Sequence, residues 1–238
     1  MRTSNCCAFA LPWLMATGLT CPAWAGSFAV NPVQLSVPDD RQGTSLTIKN
    51  NDVTPVTVQV QTLAWTQAEG LDQYTPTSSV IVSPPIFTIP PAGSQLVRVG
   101  LKDRKAGTAY RLILAEIPKQ QSADRQVQVT LRLNLPLYVL AKGGGKPDVS
   151  WRAWRKPDGS TFIEGRNQGT RYQQIIELDV QQPTKTVVVS KETGVVLPGA
   201  SRIWKVASGA PLITGTQFPL IARSSAGATQ TRVLLETR

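Results

Sequence analysis

The feature that most constrains the fold is a segment, residues 126–135, in which polar and apolar side chains alternate without a break. Successive side chains of a β-strand point to opposite faces, so the segment predicts a strand with one aliphatic face. That face carries Val127, Val129, Leu131, Leu133 and Leu135. Strands usually run about 5–6 residues. The greater length of this one indicates that part of it serves something outside its own domain.

Period-two alternation also prevails elsewhere in the chain, whereas helical spacing is hard to find. Between residues 28 and 140, short alternating segments are separated by turns rich in Gly, Pro, Asn and Asp. Residues 28–37 are predicted to form one edge or bulged strand, because Pro32 lies inside them. Residues 67–77 are predicted to form a polar loop. About seven short strands at this spacing favour an immunoglobulin-like β-sandwich over a βαβ fold.

A linker divides the chain into two predicted domains. Residues 142–147, KGGGKP, combine flexible glycines with a proline. A second β-rich segment follows at residues 148–238 and is long enough for a smaller sandwich. The predicted fold class is therefore all-β, with one immunoglobulin-like domain at 26–141 and another at 148–238.

The first 25 residues predict a signal peptide. Arg2 precedes an apolar run, and the small-x-small pattern of residues 23–25 predicts cleavage before Gly26. Pro12 interrupts the run, which is too short for a comfortable membrane span, so no stable membrane anchoring is expected. The three cysteines, Cys6, Cys7 and Cys21, lie inside the signal. The mature chain is therefore predicted to be exported and to have no disulfide.

Composition argues against catalysis. The chain has no histidine, and its mature part has no cysteine, which removes the usual general base, the thiolate nucleophile and the commonest metal ligands. Motifs for nucleophilic serines, phosphate loops or zinc are missing. We predict no enzyme activity, no cofactor and no metal. The net charge of +10 comes from scattered cations. It fits a solvated surface or a cationic cleft for a partner, and an exported protein rarely meets nucleic acid.

Several motifs together resemble a known family. They are residues 82–91 (VSPPIFTIPP), 93–100 (GSQLVRVG), 109–112 (AYRL), 116–118 (EIP) and 131–136 (LRLNLP). The pattern is similar to the periplasmic chaperones of the chaperone–usher pilus pathway, in particular the archaic branch associated with spore-coat-U-like pilins. The resemblance covers essentially the whole mature chain and is strongest over residues 28–140.

The resemblance implies a boomerang of two immunoglobulin-like domains that works in the periplasm. Its partners would be spore-coat-U-like pilin subunits and an outer-membrane usher. Such pilins lack one strand, and the chaperone's long strand fills the gap by donor-strand complementation. Val127, Val129 and Leu131 would enter the pilin groove, with Leu133 at the boundary and Leu135 in the chaperone's own core.

The family also implies a basic pair that anchors the pilin's C-terminal carboxylate. Motif alignment puts Gln34 at the position of the family's arginine and Asn134 at the position of its lysine, so this chain departs from the pattern at both. Arg132, on the polar face of the long strand, is one substitute. Arg98 and Arg111, expected on neighbouring strands, are two more.

Three alternatives stay open at the level of sequence. The aliphatic stripe of residues 127–135 can be an ordinary core strand. The chain can be a pilus or adhesion subunit, although such subunits usually carry a disulfide. It can also be an exported carbohydrate-binding module in which Trp151 and Trp154 stack on sugars, although a spacing of three suits one strand face poorly.

Overall fold

The structure is a computed structural model that describes residues 28–118, 130–182, 184–207, 210, 212 and 215–237. Regular structure in these residues is entirely β, as predicted. Among them, no helix is long and apolar enough to cross a membrane. The predicted signal peptide lies outside the described residues.

We call the part up to residue 140 the first domain and the part from residue 149 the second domain. The strands of the first domain are β1 (Phe28–Asn31), β2 (Leu35–Pro38), β3 (Gly43–Asn50), β4 (Val56–Ala68), β5 (Leu71–Pro76), β6 (Val80–Ser83), β7 (Ile86–Ile89), β8 (Ser94–Leu101), β9 (Ala109–Glu116) and β10 (Arg132–Leu140). Those of the second are β11 (Val149–Arg155), β12 (Thr161–Asn167), β13 (Gln173–Gln181), β14 (Thr186–Ser190), β15 (Gly194–Val196), β16 (Ser201–Lys205), β17 (Gln217–Ser224) and β18 (Gly227–Thr237).

The first domain is a sandwich of two sheets. The first sheet has the order β1-β3-β8-β6, and the second has the order β2-β10-β9-β4-β5, with β7 also paired to β4. Alternating aliphatic side chains from both sheets fill the space between them, among them Leu35, Ile48, Leu112 and Leu137. Each is at most 1% exposed. Full burial of such a side chain contributes about 1.5–3 kcal/mol, so this core holds the sheets together without a disulfide.

The prediction of a single strand over residues 28–37 is wrong. β1 pairs with β3 in the first sheet, whereas β2 runs parallel to β10 in the second. Pro32 lies between them and has no backbone N–H to donate to a ladder. The chain therefore leaves one sheet at this point and joins the other.

The prediction of a polar loop over residues 67–77 is also wrong. β4 and β5 form an antiparallel hairpin in which Trp65 pairs with Tyr74. Glu69 and Gly70, at its tip, both have positive φ, 53° and 77°. Two successive residues of this kind make the tight turn that suits a two-residue hairpin. The alternation is hidden in the sequence because both faces of β5 carry polar residues.

The second domain consists of strands in the order β14-β13-β17-β18-β11-β12-β16, with β15 also paired to β13. Its core is built around Trp204, which is fully buried. Trp151 packs against Trp204 with ring centroids 5.7 Å apart, and Trp154 stacks on Phe162 at the same distance. These tryptophans therefore pack within the domain and do not form one exposed platform.

Candidate functional site

Strand β10 is paired along most of its length on one edge and only near its end on the other. On that edge, residues 132–138 pair with β9. On the other edge, β2 pairs with β10 only from Leu137 onward. In the part of the chain that the structure describes, residues 132–136 therefore have one free strand edge, which we call the open edge.

The hydrogen bonds show which backbone groups reach the open edge. The carbonyl of Leu131 accepts from the N–H of Glu116, and the N–H of Val139 donates to the carbonyl of Thr108, both at 2.9 Å. Odd-numbered residues of β10 thus direct their backbone groups toward β9. Since these groups alternate along a strand, those of Arg132, Asn134 and Pro136 point to the open edge. Proline has no N–H, so this edge offers three carbonyls but only two N–H donors.

The apolar row of β10 leaves the core gradually toward its N-terminal end. Leu135 and Leu137 are buried between the sheets. Leu133 and Leu131 are only partly buried and pack against the edge of the same cluster. Val127 and Val129, the other two predicted donor residues, lie outside the described residues. Leu131 and Leu133 therefore mark the place where the core ends beside the open edge.

Four of the five candidate anchor residues share one surface, the outer face of the second sheet, which we call the cleft face. Arg132 and Asn134 lie on it, exposed, and the register of β9 and β10 puts Arg111 on the same side. Gln34, just before β2, approaches the same face.

Arg98 lies elsewhere, and the expectation of a neighbouring strand is wrong for it. Its strand β8 pairs with β3 and β6 in the first sheet and not with β10. Val97 and Val99 on either side of it are buried between the sheets. Arg98 therefore points out of the opposite side of the sandwich.

Arg111 is held by aromatic rings at the centre of the cleft face. Its guanidinium carbon lies 3.8 Å from the ring centroid of Trp65 and 5.8 Å from that of Tyr74. A cation over an aromatic face gains about 0.5–2 kcal/mol. The Nε atom of Arg111 is buried and has no hydrogen-bond partner among the described residues. An unpaired buried donor is costly, and the guanidinium lies between two aromatic rings with this donor unsatisfied.

Aromatic stacking joins the cleft face to the second domain. Tyr138 of β10 stacks on Tyr172 of the second domain, with centroids 3.6 Å apart and an interplanar angle of 12°. The side-chain amide of Gln34 donates to the Tyr172 hydroxyl at 2.8 Å. Burial raises the pKa of Tyr138, so this phenol stays protonated. Gln34 therefore contributes to the junction between the domains.

The carboxylate of Asp72, on the β4–β5 hairpin, binds the second domain. It accepts hydrogen bonds from Trp65 Nε1 at 2.9 Å, Gln67 Nε2 at 2.7 Å and Arg202 Nη1 at 2.6 Å. Burial raises the pKa of Asp72, but these donors outweigh that effect and hold the pKa below its ordinary value. The ion pair with Arg202 is largely screened from solvent, with side-chain exposures of 15% and 20%.

Backbone contacts complete this junction. The side chain of Gln67 donates to the carbonyl of Val195 at 2.6 Å and accepts from the N–H of Leu197 at 2.9 Å. The N–H of Ile203 donates to the carbonyl of Gly70 at 3.2 Å. Sequence reasoning missed these residues because it assigned residues 67–77 to a loop, and no sequence motif marks the contacts.

Comparison with known proteins relates this chain to pilus chaperones. Residues 27–143 match the family model for the pili and flagellar-assembly chaperone, PapD N-terminal domain. That family consists of chaperones rather than enzymes. A search of curated proteins found no match. Among the described residues, no group of three His, Cys, Asp or Glu could hold a metal ion.

Solved structures with a similar fold include the following three. One is the CsuC–CsuE chaperone–tip adhesion subunit complex from archaic chaperone–usher Csu pili of Acinetobacter baumannii, with a TM-score of 0.68 and 20% identity over 89% of this chain and 99% of that one. The second is the Salmonella enterica SafA pilin in complex with the SafB chaperone, with a TM-score of 0.61 and 13% identity over 89% of this chain and 98% of that one. The third is the E. coli chaperone DraB, with a TM-score of 0.59 and 18% identity over 89% of this chain and 98% of that one. The predicted fold class, two immunoglobulin-like domains, is thereby confirmed.

Proposed function

We propose that this chain is a periplasmic chaperone that binds pilin subunits by donor-strand complementation and delivers them to an outer-membrane usher. The observation that carries the proposal is the open edge of β10 beside the exposed end of its apolar row. It lies in the domain that matches the pilus-chaperone family model. The matches to solved chaperone–subunit complexes support the same role.

An incomplete pilin needs both the backbone hydrogen bonds and the apolar side chains that this strand offers. A sandwich that lacks one strand has an unpaired edge and an apolar groove, each costly in water. Backbone groups of Arg132 and Asn134 at the open edge can pair with a pilin strand without regard to its side chains. The apolar row fills the groove. We assign this part to Val127, Val129, Leu131 and Leu133.

The energy available from these side chains is adequate. Each fully buried Val or Leu contributes about 1.5–3 kcal/mol. Four of them therefore approach the 5–15 kcal/mol, roughly, that stabilises an entire domain. A subunit that is marginal alone becomes stable in the complex by this contribution, and no nucleotide is required.

We assign the pilin's C-terminal carboxylate to the cleft face. Arg111 is partly exposed and its guanidinium is fixed by Trp65, and Arg132 and Asn134 lie exposed on an adjacent strand. Gln34 serves the domain junction through Tyr172. In this arrangement Arg111 takes over the charge that the family's usual arginine and lysine supply.

The finer assignment is to the archaic branch with spore-coat-U-like pilins. The motifs of residues 82–100 and the similarity to the Csu complex support it. Residues 1–25 would direct export and be removed before Gly26. No comparable observation favours a pilus subunit. None favours a carbohydrate-binding module either, since Trp151 and Trp154 both pack within the second domain.

Co-expression in the bacterial periplasm tests the proposal. A tagged form of this chain is expressed with a spore-coat-U-like pilin that is degraded or aggregates when expressed alone. We expect a soluble complex of one chaperone and one pilin. The proposal fails if the pilin accumulates in soluble form equally well without this chain, or if no complex is recovered while both proteins are folded.

A further inference from the structure

A second surface of the first domain lies opposite the cleft face. On the outer side of the first sheet, β3, β8 and β6 border an open groove of about 840 Å³. We call it the cationic groove, because its lining includes Arg41, Arg98, Lys102 and Arg104. Residue Ile81 of β6 adds an aliphatic side chain that is 51% exposed.

A pair of glycines forms the floor of the groove. Gly43 of β3 lies directly opposite Gly100 of β8, and Gly100 faces outward between the buried residues Val99 and Leu101. A Cβ atom at Gly43 would clash with the carbonyl oxygen of Val99, so only glycine fits there. At Gly100 the nearest atoms to an added Cβ lie 3.9 Å away, which is ordinary contact. The sheet surface is therefore recessed at this point, and a side chain at residue 100 would fill the recess.

The charges around the groove have one sign. All four cations are exposed, and none forms an ion pair or a side-chain hydrogen bond with a residue that the structure describes. Asp40 and Asp103 are adjacent in sequence but do not line the groove. Like charges around one groove repel one another, and an anionic partner relieves that repulsion.

We propose that the cationic groove binds an acidic, extended segment of a partner polypeptide. The cations come from the turn before β3, from β8 and from the loop after it, so they line the groove rather than converge on one point. Side chains on one face of an extended chain recur about every 7 Å, and the groove crosses strands about 4.8 Å apart. A recessed floor accepts such a chain better than a planar membrane surface. The proposal is independent of pilin binding at β10.

The charge requirement can be tested by fluorescence anisotropy with a labelled peptide of repeating Glu-Ser dipeptides. A Gln-Ser peptide is the ligand control. We compare the chain with a quadruple variant of the groove, Arg41→Gln, Arg98→Gln, Lys102→Gln and Arg104→Gln. A matched variant loses the same charge from exposed positions of the second half: Lys146→Gln, Lys185→Gln, Lys191→Gln and Arg232→Gln.

We expect the groove variant to bind the Glu-Ser peptide about tenfold or more weakly, since four exposed charge contacts are removed. The matched variant should stay within about threefold of the original chain. No binding by the original chain, or an equal loss in both variants, would overturn the proposal. Equal loss would assign the attraction to net charge alone.

A shape test separates a peptide from a membrane. Gly100→Gln fills the groove without changing the charge and should weaken the peptide about tenfold, whereas Gly100→Ala should change it little. Thermal melting establishes whether each variant is folded. If Gly100→Gln does not fold, the charge variants alone decide whether the groove binds the acidic peptide. Binding to phosphatidylglycerol vesicles that exceeds peptide binding and is indifferent to Gly100→Gln would refute the acidic-peptide assignment.

Discussion

If the chain binds pilins as proposed, replacing Leu131 with asparagine should abolish that binding while leaving the free protein folded. Leu131 is only partly buried at the edge of the core and lies immediately before β10. Its loss should therefore cost the free protein no more than about 1 kcal/mol. In the complex the same side chain would be fully buried in the pilin groove. Asparagine is chosen over aspartate because Glu116 lies beside this residue.

The expected loss of affinity follows from burial. Removing a fully buried leucine costs about 1.5–3 kcal/mol, and burying an amide without partners costs about 1–3 kcal/mol more. Together they reach about 2.5–6 kcal/mol. A factor of ten corresponds to about 1.4 kcal/mol, so affinity should fall by a factor between about sixty and about twenty thousand.

Thr130→Asn is the matched control. Thr130 is exposed and lies next to Leu131, but its side chain belongs to the opposite face of the strand. The Thr130→Asn variant receives the same amide group at a position that does not enter the groove. The assay is recovery of pilin with the tagged chaperone, alongside thermal melting of each free variant. The reasoning is refuted if Leu131→Asn unfolds the free chaperone, or if both variants recover pilin equally.

Three further predictions concern the cleft face and the domain junction. Arg111→Gln should weaken pilin binding about tenfold or more, because a hydrogen bond to a charged group contributes about 1.5–3 kcal/mol, whereas Arg98→Gln should not change it; co-purification measures both. The pKa of Asp72 is held below its ordinary value, so its stabilisation is present above the unfolded pKa of about 3.9 and is lost as pH falls through the folded pKa. Asp72→Asn should remove this part of the pH dependence of Tm. If Tm changes with pH in the same way in the variant and in the original chain, the Asp72 carboxylate does not contribute to it. Gly70→Ala should lower the free energy of unfolding by about 1–3 kcal/mol, because the residue has positive φ and its Cβ would clash with Ile203; an unchanged Tm would contradict the contact.

The fold class could be predicted because polar and apolar residues alternate strictly in β3 and in residues 131–135. Leu46 and Ile48, for example, are buried where the pattern requires. Pro32 marks a break within residues 28–37, but the sequence does not show that the chain changes sheets there. A strand that changes sheets has the same local pattern as a bulged strand, and only the pairing partners of β1 and β2 distinguish them.

The candidate site was predictable only in part. The stripe that contains Leu131 and Leu133 follows from periodicity, and the register places both leucines at the edge of the core. The open edge of β10 does not follow from it, since a free edge is a property of neighbouring strands. For the same reason, sequence could not assign Arg98 to the opposite surface or bring Asp72 to Arg202. Such contacts depend on the arrangement of sheets and domains.

Backbone hydrogen exchange along β10 tests the central claim most directly. In the free protein, the N–H groups of Arg132 and Asn134 point to the open edge and should exchange rapidly, while those of Leu133 and Leu135, bonded toward β9, should be protected. On binding a pilin, Arg132 and Asn134 should become protected, because their N–H groups enter a new ladder. If these two amides exchange equally fast with and without bound pilin, this strand edge does not complete the subunit.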